Sequence, residues 1–238
     1  LQLAGIACVG PGVGASAAAM DKYKTKLVAD YAGICQADWV MFSRAEIEKT
    51  MENCVEQVQA RFEYPVFVKP AGTGSSVGVH KAADRVQLME ALCDAARFDQ
   101  KVLVEEFIDG QEVEVAVLGN ETPAASVCGE IDSGAEFYDY DAKYISDCSK
   151  LYIPARIPEA AGEAVREAAV QIYKALGCRG LSRVDFFVTR EHQKAVFNEI
   201  NTIPGFTSIS MYPKLFEASG IPFEALVDRL LQLAMEDA

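Results

Sequence analysis

Two short segments near the carboxyl end of the chain carry charged and amide side chains at alternate positions. Arg183 and Asp185 occur in one segment, Glu199 and Asn201 in the other, and one apolar residue separates the members of each pair. Because successive side chains of a β-strand point to opposite faces, each pair would share one face of a strand. Two carboxylates and an amide oxygen are hard ligands of the kind that Mg²⁺ prefers. The spacing predicts a metal site, and the alternative is a solvated strand face; apolar neighbours on both strands favour a buried site, where unpaired carboxylates would be costly.

A glycine-rich run, A-G-T-G-S-S-V-G-V at residues 71–79, follows the short apolar stretch 66–70, which contains Lys69. Its three glycines would let backbone amides approach an anion, and its two serines add hydroxyl donors. It is not a P-loop, because the lysine precedes the glycines. The composition indicates a phosphate cradle, and a plain Gly-Ser hairpin with a surface lysine is the alternative that it leaves open.

The charge of the chain limits its partners. Of 238 residues, 50% are hydrophobic and 24% are charged, which is typical of a soluble globular protein with one large or two small lobes. Lys and Arg number 22 against 35 Asp and Glu, so the net charge is −13. This charge repels nucleic acid and anionic membranes, and neither is expected as a partner. Any bound phosphate must then be neutralised locally by lysine, arginine, backbone amides or a cation.

Cysteine and histidine usage narrows the chemistry further. Seven cysteines, an odd number, occur without a C-x-x-C pair, which argues against a disulfide framework or a zinc site and favours a reducing cytoplasm. His80 and His192 are the two histidines, and neither has a nucleophile or carboxylate at a suggestive spacing. A Ser-His-Asp or Cys-His hydrolase is therefore disfavoured. Glycines and a proline interrupt the uncharged first twenty residues, so we expect no signal peptide or membrane helix there.

Helices and strands that would position these residues follow from periodicity and caps. Helices are predicted from a cap at Asp21 to Gly33, from a capping box at Ser43 and Glu46 to Arg61, and over 84–97, 159–176, 212–219 and 222–235. Strands are predicted over 66–70, 102–107, 112–118, 125–128, 182–188 and 195–201. Another short strand is predicted where the glycine-rich run ends. The polar segment 133–151 is long for a loop in a compact domain, and such loops are usually functional. Two α+β lobes that meet near Gly110 are the simplest division.

Six segments, in order, resemble the D-alanine–D-alanine ligases of the ATP-grasp superfamily. They are MDKYKTK at 20–26, VKPAGTGSSVG at 68–78, VEEFIDGQEVEVAVLG at 104–119, FYDYDAKY at 137–144, SRVDFF at 182–187 and NEINTIPGFTSISMYP at 198–213. The resemblance implies an α+β ATP-grasp fold in which two α+β lobes sandwich the nucleotide. It divides the chain into a remnant of an N-terminal α/β domain (1–20), a central lobe (21–109) and a C-terminal lobe with metal and second-substrate sites (110–238). Most of the family's N-terminal lobe is expected to be missing.

The resemblance also implies a role for individual residues. The residues implied to bind ATP are Lys22, Lys69, Ser76, Glu105, Phe107, Ile108, Glu112, Phe137, Lys143 and Asn198. Within this set, Glu105 would meet the exocyclic amine of adenine and Glu112 the ribose hydroxyls. Asp185, Glu199 and Asn201 would bind Mg²⁺, or Mn²⁺. The catalytic residues would be Ser75, Tyr144, Arg183 and Gly205, of which Arg183 and the Gly205 amide would stabilise an oxyanion. Ser210 and Met211 would form the pocket for the carboxylate of the second substrate.

The activity implied is ATP-dependent joining of two D-alanines through an acyl phosphate, for peptidoglycan precursor synthesis in the cytoplasm, by a protein that is commonly a homodimer in the family. One alternative is a related ligase that uses D-serine or D-lactate as the second substrate. Another is a nucleotide-binding fragment without catalysis. Because the lobe that holds the first D-alanine is expected to be missing, the chain is predicted to bind Mg-ATP but to form little dipeptide.

Overall fold

The computed structural model describes residues 1–132, 150–207 and 209–236. Its first sheet is antiparallel, with strand order β1-β4-β2-β3. These strands are β1 (Trp39–Ser43), β2 (Val66–Pro70), β3 (His80–Ala82) and β4 (Lys101–Glu106). Helices α3 (Arg44–Arg61) and α4 (Arg85–Phe98) pack on this sheet around a core that includes Val55, Leu88 and Val104. The hydrophobic residues that recur every three or four positions along α4 are the ones buried there, as expected of an amphipathic helix.

The second sheet is also antiparallel, with strand order β7-β6-β5-β8-β9. Its strands are β5 (Gly110–Leu118), β6 (Ala124–Asp132), β7 (Lys150–Tyr152), β8 (Leu181–Thr189) and β9 (Ala195–Asn201). Helix α5 (Glu159–Ala175) covers one face, and α6 (Met211–Ala218) and α7 (Phe223–Met235) cover the other. Because both faces are covered, the carboxyl end of β5 is apolar at consecutive positions rather than at alternate ones.

The amino-terminal segment contains a 3₁₀ turn (Gln2–Ala4) and helices α1 (Val13–Met20) and α2 (Lys22–Tyr31). The cap predicted at Asp21 is confirmed, since its carboxylate accepts a hydrogen bond from the Lys24 amide at 3.3 Å. Helix α2 leaves two of its large apolar residues in solvent, since Leu27 is 45% and Tyr31 95% exposed. Ala29 is buried instead, in the core that α5 shares with the second sheet.

Other caps and boundaries agree with the sequence. The capping box of Ser43 and Glu46 is confirmed at the start of α3, and Asp84 caps α4. Strand β6 is longer than predicted, because it continues from Ala124 to Asp132. Among the elements of the described residues, α1, β1, β7 and the 3₁₀ turn were not predicted, and β7 begins within the segment 133–151 that was expected to be a loop. No helix in the described part of the chain is long and apolar enough to span a bilayer.

Candidate active site between the two sheets

A cleft of about 980 Å³ lies between the two sheets. The first sheet contributes residues of β2 and β4, and the second contributes residues of β5, β6 and β9. Many residues implied by the family resemblance line this cleft: Lys22, Lys69, Ser75, Ser76, Glu105, Phe107, Ile108, Glu112, Asn198 and Glu199. Residues far apart in sequence therefore meet in one cavity large enough for a nucleotide.

The glycine-rich loop borders the cleft between β2 and β3. Ser75 and Ser76 have φ values of 52° and 58°, a left-handed conformation that is rare for residues with a Cβ atom. Lys22, at the start of α2, donates a 2.6 Å hydrogen bond from Nζ to the carbonyl oxygen of Thr73. Successive residues in unusual turn conformations can direct their N–H groups toward an anion. The loop therefore combines a left-handed stretch of backbone with an adjacent lysine.

Gly78 closes the loop where a side chain would not fit. Its φ is 71°, and a Cβ atom built there would lie 2.6 Å from Cδ2 of Phe98 and 2.9 Å from Cγ of Pro70. Gly74, in the same loop, would meet nothing within 4 Å. Close packing against Phe98 and Pro70 therefore explains one of the three glycines, and open space surrounds another.

A buried ion network forms one side of the cleft. Glu105 on β4 is 4% exposed, and its two carboxylate oxygens face different lysines. Oε2 lies 2.7 Å from Nζ of Lys69, and Oε1 lies 3.3 Å from Nζ of Lys26. Burial alone would raise the pKa of Glu105, but the charges of Lys26 and Lys69 outweigh it and hold the pKa at about 2. Glu105 is consequently a carboxylate at any physiological pH.

Lys69 reaches across the cleft. Besides Glu105, its ammonium donates to Oδ1 of Asn198 on β9 at 3.3 Å. The Lys69 side chain is less buried than that of Lys26: 14% of it is exposed, against 4% for Lys26. Lys69 is therefore the cation of this network that a ligand in the cleft can contact.

Aromatic and aliphatic side chains form another part of the wall. The rings of Phe67 and Phe107 are stacked with centroids 6.2 Å apart, and Nζ of Lys81 lies 4.9 Å from the Phe107 centroid. Ile108 continues this wall, and Glu112 lines the cleft from β5. An apolar surface next to a fixed carboxylate suits a planar base that carries a hydrogen-bond donor.

The predicted metal ligands lie on adjacent strands. Asp185 pairs directly with Glu199, and Arg183 with Asn201, in the antiparallel register of β8 and β9. The prediction that these strands are neighbours is confirmed. Across the other edge of β8, Asp185 pairs with Glu114 of β5, which is 4% exposed. Glu114 was not among the predicted site residues.

Arg183 is held by the carboxylates around it. Its guanidinium donates to both oxygens of Asp185 at 2.8 Å, and its Nε lies 3.2 Å from Oε2 of Glu114. Burial acts to lower the pKa of Arg183, but the carboxylates of Asp185 and Glu114 outweigh it and raise the pKa. Asn201 also donates to Asp185, at 3.2 Å. Arg183 is therefore charged and oriented by two strands.

This group of side chains has the donors that Mg²⁺ requires. Asp185 and Glu199 lie opposite each other on adjacent strands, Glu199 lines the cleft, and Asn201 adds an amide oxygen. Within residues 1–132, 150–207 and 209–236, no three His, Cys, Asp or Glu side chains are grouped for metal binding. The candidate set instead combines two carboxylates with one amide, and Asp185 would exchange contacts with Arg183 and Asn201 for contacts with the ion.

The loop after β9 brings Gly205 next to Ser210. A Cβ atom at Gly205 would lie 2.7 Å from Oγ of Ser210, which accepts a 3.0 Å hydrogen bond from the Thr207 amide. Met211 begins α6, and its side chain is 6% exposed and packs in the core against Gly129. A substrate carboxylate would thus meet the Ser210 hydroxyl and the N–H groups at the start of α6, rather than the Met211 side chain.

Three predicted site residues, Phe137, Lys143 and Tyr144, lie outside the described residues. Lys26, which the structure places next to Glu105, was also not among the predicted site residues. Of the three lysines in the MDKYKTK segment, only Lys22 was predicted to bind the nucleotide. A buried lysine cannot be distinguished from a solvated one by composition alone.

Comparison with known proteins identifies the family. The family described as D-ala D-ala ligase C-terminus matches residues 28–232. The chain belongs to the D-alanine–D-alanine ligase family. The predicted membership and ATP-grasp fold are confirmed, and solved ligases of the family superpose on nearly the whole chain. The ligase from Coxiella burnetii does so with a TM-score of 0.84 and 35% identity, over 99% of this chain and 63% of that one. VanG D-Ala:D-Ser ligase from Enterococcus faecalis gives a TM-score of 0.88 and 42% identity, over 98% of this chain and 66% of that one.

Curated relatives in the D-alanine–D-alanine ligase family are more similar in sequence. The D-alanine–D-alanine ligase of Acetivibrio thermocellus is 57% identical over 235 residues, which are 99% of this chain and 62% of that protein. The corresponding ligase of Chlorobium limicola is 54% identical over 99% of this chain and 65% of its own length. The chain therefore spans less than two thirds of the length of these relatives.

Proposed function

We propose that the protein is an ATP-dependent, ADP-forming D-alanine–D-alanine ligase that makes D-alanyl-D-alanine for peptidoglycan precursors in the cytoplasm. One observation carries the proposal. A glycine-rich loop, two lysines and Glu199 of β9 line a single cleft, and Asp185 of β8 pairs with Glu199 in the sheet, in a chain that belongs to this family. Phosphoryl transfer needs positioned cations around a phosphate more than it needs covalent help, and the cleft supplies such positions.

The nucleotide would lie between the lobes, with most of its contacts on the first one. Lys22, Lys69 and the amides near Ser76 would bind phosphate oxygens, which local cations must do in a chain of net charge −13. Glu105 would accept a hydrogen bond from the adenine amine, while Phe107 and Ile108 pack on the base. Glu112 would bind the ribose hydroxyls, and Asn198 would keep Lys69 directed across the cleft.

The second lobe would hold the metal. Mg²⁺, or Mn²⁺, would neutralise charge on the transferred phosphoryl group when bound. Asp185, Glu199 and Asn201 would hold it, and Arg183 would then be retained by Glu114 on the neighbouring strand. In this division residues 21–109 supply most of the nucleotide site, and residues 110–238 add Glu112 and Asn198 to it and hold the metal and the second substrate.

The reaction would proceed in two steps. A carboxylate oxygen of the first D-alanine forms a bond to the γ-phosphorus, and the bond from phosphorus to the ADP oxygen breaks, which yields an acyl phosphate and ADP. The neutral amine of the second D-alanine would then attack the acyl carbon, the bond from that carbon to the phosphate oxygen would break, and the proton lost by the amine nitrogen would leave with inorganic phosphate. Arg183 and the Gly205 amide would stabilise the oxyanion of the tetrahedral intermediate, a contribution of about 3–4 kcal/mol per donor in well-studied enzymes. Ser75, Lys143 and Tyr144 complete the proposed set around the reacting groups.

D-Serine is the second candidate for the amine substrate, because the D-Ala:D-Ser ligase VanG is 42% identical over the chain. D-Alanine is favoured, since relatives named for D-alanine are 57% and 54% identical. Ser210 and the amides of α6 would bind the carboxylate that both amino acids share.

Product analysis tests the proposal. The chain alone, and a chimera that joins it to the remaining part of the Acetivibrio thermocellus relative, are given ATP, Mg²⁺ and equal amounts of D-alanine, D-serine and D-lactate at neutral pH. Mass spectrometry should find D-alanyl-D-alanine as the main product of the chimera and little product from the chain alone. A folded, nucleotide-binding chimera that makes no dipeptide would contradict ligase activity, and a majority of mixed products would contradict the preference for D-alanine.

A further inference from the structure

The buried ion network contains two lysines whose surroundings differ. Lys69 and Lys26 occupy different oxygens of the Glu105 carboxylate, at 2.7 Å and 3.3 Å. Lys69 lines the cleft and also contacts Asn198. Lys26 lies on α2 with its side chain 4% exposed, and its Nζ is 3.5 Å from the carbonyl oxygen of Ala37. Only Lys69 is therefore placed to exchange its carboxylate partner for a ligand in the cleft.

Such an exchange changes the charge around Glu105. If Lys69 turns to a phosphate, the Glu105 carboxylate loses its 2.7 Å partner while it remains in a buried position. An isolated buried carboxylate is costly, and it lowers this cost by taking a proton or by rotating toward another donor. Protonation or rotation of Glu105 would remove the acceptor oxygen that the amine of an adenine base must meet. Lys26 on the other carboxylate oxygen opposes both responses, because it keeps the carboxylate charged and fixed.

We infer that Lys26 is a positioning residue for base recognition, which fixes the Glu105 carboxylate as an acceptor while Lys69 binds phosphate. The inference rests on the proposed adenine-nucleotide site and assigns part of its base selectivity to a residue outside the cleft. Lys26 does not touch the nucleotide. It acts through Glu105, so its loss should weaken recognition of a 6-amino purine more than binding of the nucleotide as a whole.

Paired nucleotides separate these two effects. ADP carries an amine at purine C6, whereas inosine diphosphate carries a carbonyl oxygen there, and neither can donate a γ-phosphoryl group. Calorimetric dissociation constants for both, with Mg²⁺ present, are measured on the 238-residue chain and its variants. Lys26→Met removes the cation at similar length, and Lys26→Arg keeps the charge. Lys24→Met is the matched control, because Lys24 lies on the same helix with its side chain 60% exposed.

The expected result is a change in selectivity. Lys26→Met should weaken ADP binding about tenfold and inosine diphosphate binding much less, which corresponds to roughly 1.4 kcal/mol at the base. Lys26→Arg should restore most of the preference for ADP, and Lys24→Met should resemble the unmodified chain. Equal weakening of both nucleotides by Lys26→Met, or an unchanged preference for ADP, would overturn the inference.

Two further outcomes are informative. If Lys26→Met does not fold, Lys26→Gln provides the same measurement, because it removes the charge and keeps a donor; failure of both to fold would assign Lys26 to stability alone and overturn the positioning role. If the unmodified chain binds neither nucleotide, the proposed nucleotide site is wrong. If it prefers ADP and the variant prefers it equally, only the role of Lys26 is wrong.

Discussion

The ammonium of Lys69 lies 3.3 Å from the amide oxygen of Asn198, so that one lysine of the first sheet contacts the second sheet across the cleft. The same ammonium is bound to the buried Glu105 carboxylate at 2.7 Å. A cation in this position can exchange the Glu105 carboxylate for a phosphate while Asn198 keeps it directed across the cleft.

Removal of the Lys69 charge should weaken nucleotide binding. A charge-assisted hydrogen bond contributes about 1.5–3 kcal/mol, so Lys69→Met should raise the dissociation constant of Mg-ADP about 10- to 100-fold. The matched control is Lys49→Met, which removes an exposed lysine of α3. Calorimetry with both variants checks this, and equal affinities would exclude Lys69 from phosphate binding.

The Glu199 carboxylate should determine the response to magnesium. Glu199→Gln removes a charge and little volume, so the fold should persist while Mg²⁺ no longer enhances nucleotide binding to the same extent. Glu191→Gln, in the exposed turn that precedes β9, is the control. Nucleotide affinity is measured over a magnesium titration. A curve for Glu199→Gln that overlays the unmodified curve would remove Glu199 from the metal site.

Substitution by alanine should change stability to different extents at two glycines of the glycine-rich loop. Gly78→Ala should lower the free energy of unfolding by about 1–3 kcal/mol, because its φ of 71° is unfavourable for alanine and its Cβ would approach Phe98 to 2.6 Å. Gly74→Ala should change it by about 0.5 kcal/mol or less, since nothing lies within 4 Å. Urea denaturation of both variants measures the difference, and similar losses would show that packing at Gly78 does not set the loop conformation.

Acid should remove the stabilisation that Glu105 provides. Its pKa falls from an ordinary value of 4.5 to about 2 in the folded chain, through the charges of Lys26 and Lys69 acting against burial. Since the folded pKa is the lower one, this stabilisation is present above about pH 4.5 and is lost as the pH falls toward 2. The stability gap between the unmodified chain and Glu105→Gln should therefore narrow over that range. Glu56→Gln, on the exposed side of α3, should show no such narrowing in the same denaturation series.

Local signals in the sequence predicted much of the fold. The capping box at Ser43 gave the start of α3 and the cap at Asp21 the start of α2, since each depends on residues within one helical turn. Alternation placed Arg183 with Asp185, and Glu199 with Asn201, on one face of each strand. The direct pairing of Asp185 with Glu199 brings the two pairs together. Strand β1 lacks a clear alternation, and its pairing with β4 is a long-range contact that periodicity does not report.

The candidate site was predicted less completely, because several of its contacts depend on burial. Lys26 and Glu114 look like solvated charges in the sequence, yet both are buried beside site residues of other strands. Conversely, Met211 was expected in a substrate pocket, and its side chain packs in the core. Which face of an element is covered depends on neighbours distant in sequence, as the exposed Tyr31 on α2 also shows.

The most direct test of the account is a calorimetric titration of the 238-residue chain with ADP, with and without Mg²⁺. We predict one binding site per chain, tighter binding when Mg²⁺ is present, and a clear preference for ADP over inosine diphosphate. Such binding would show that the cleft holds an adenine nucleotide and a metal ion together. The account would be contradicted if a folded chain shows no detectable binding up to millimolar ADP. It would also be contradicted if the affinity is the same with and without Mg²⁺ and the same for ADP and inosine diphosphate.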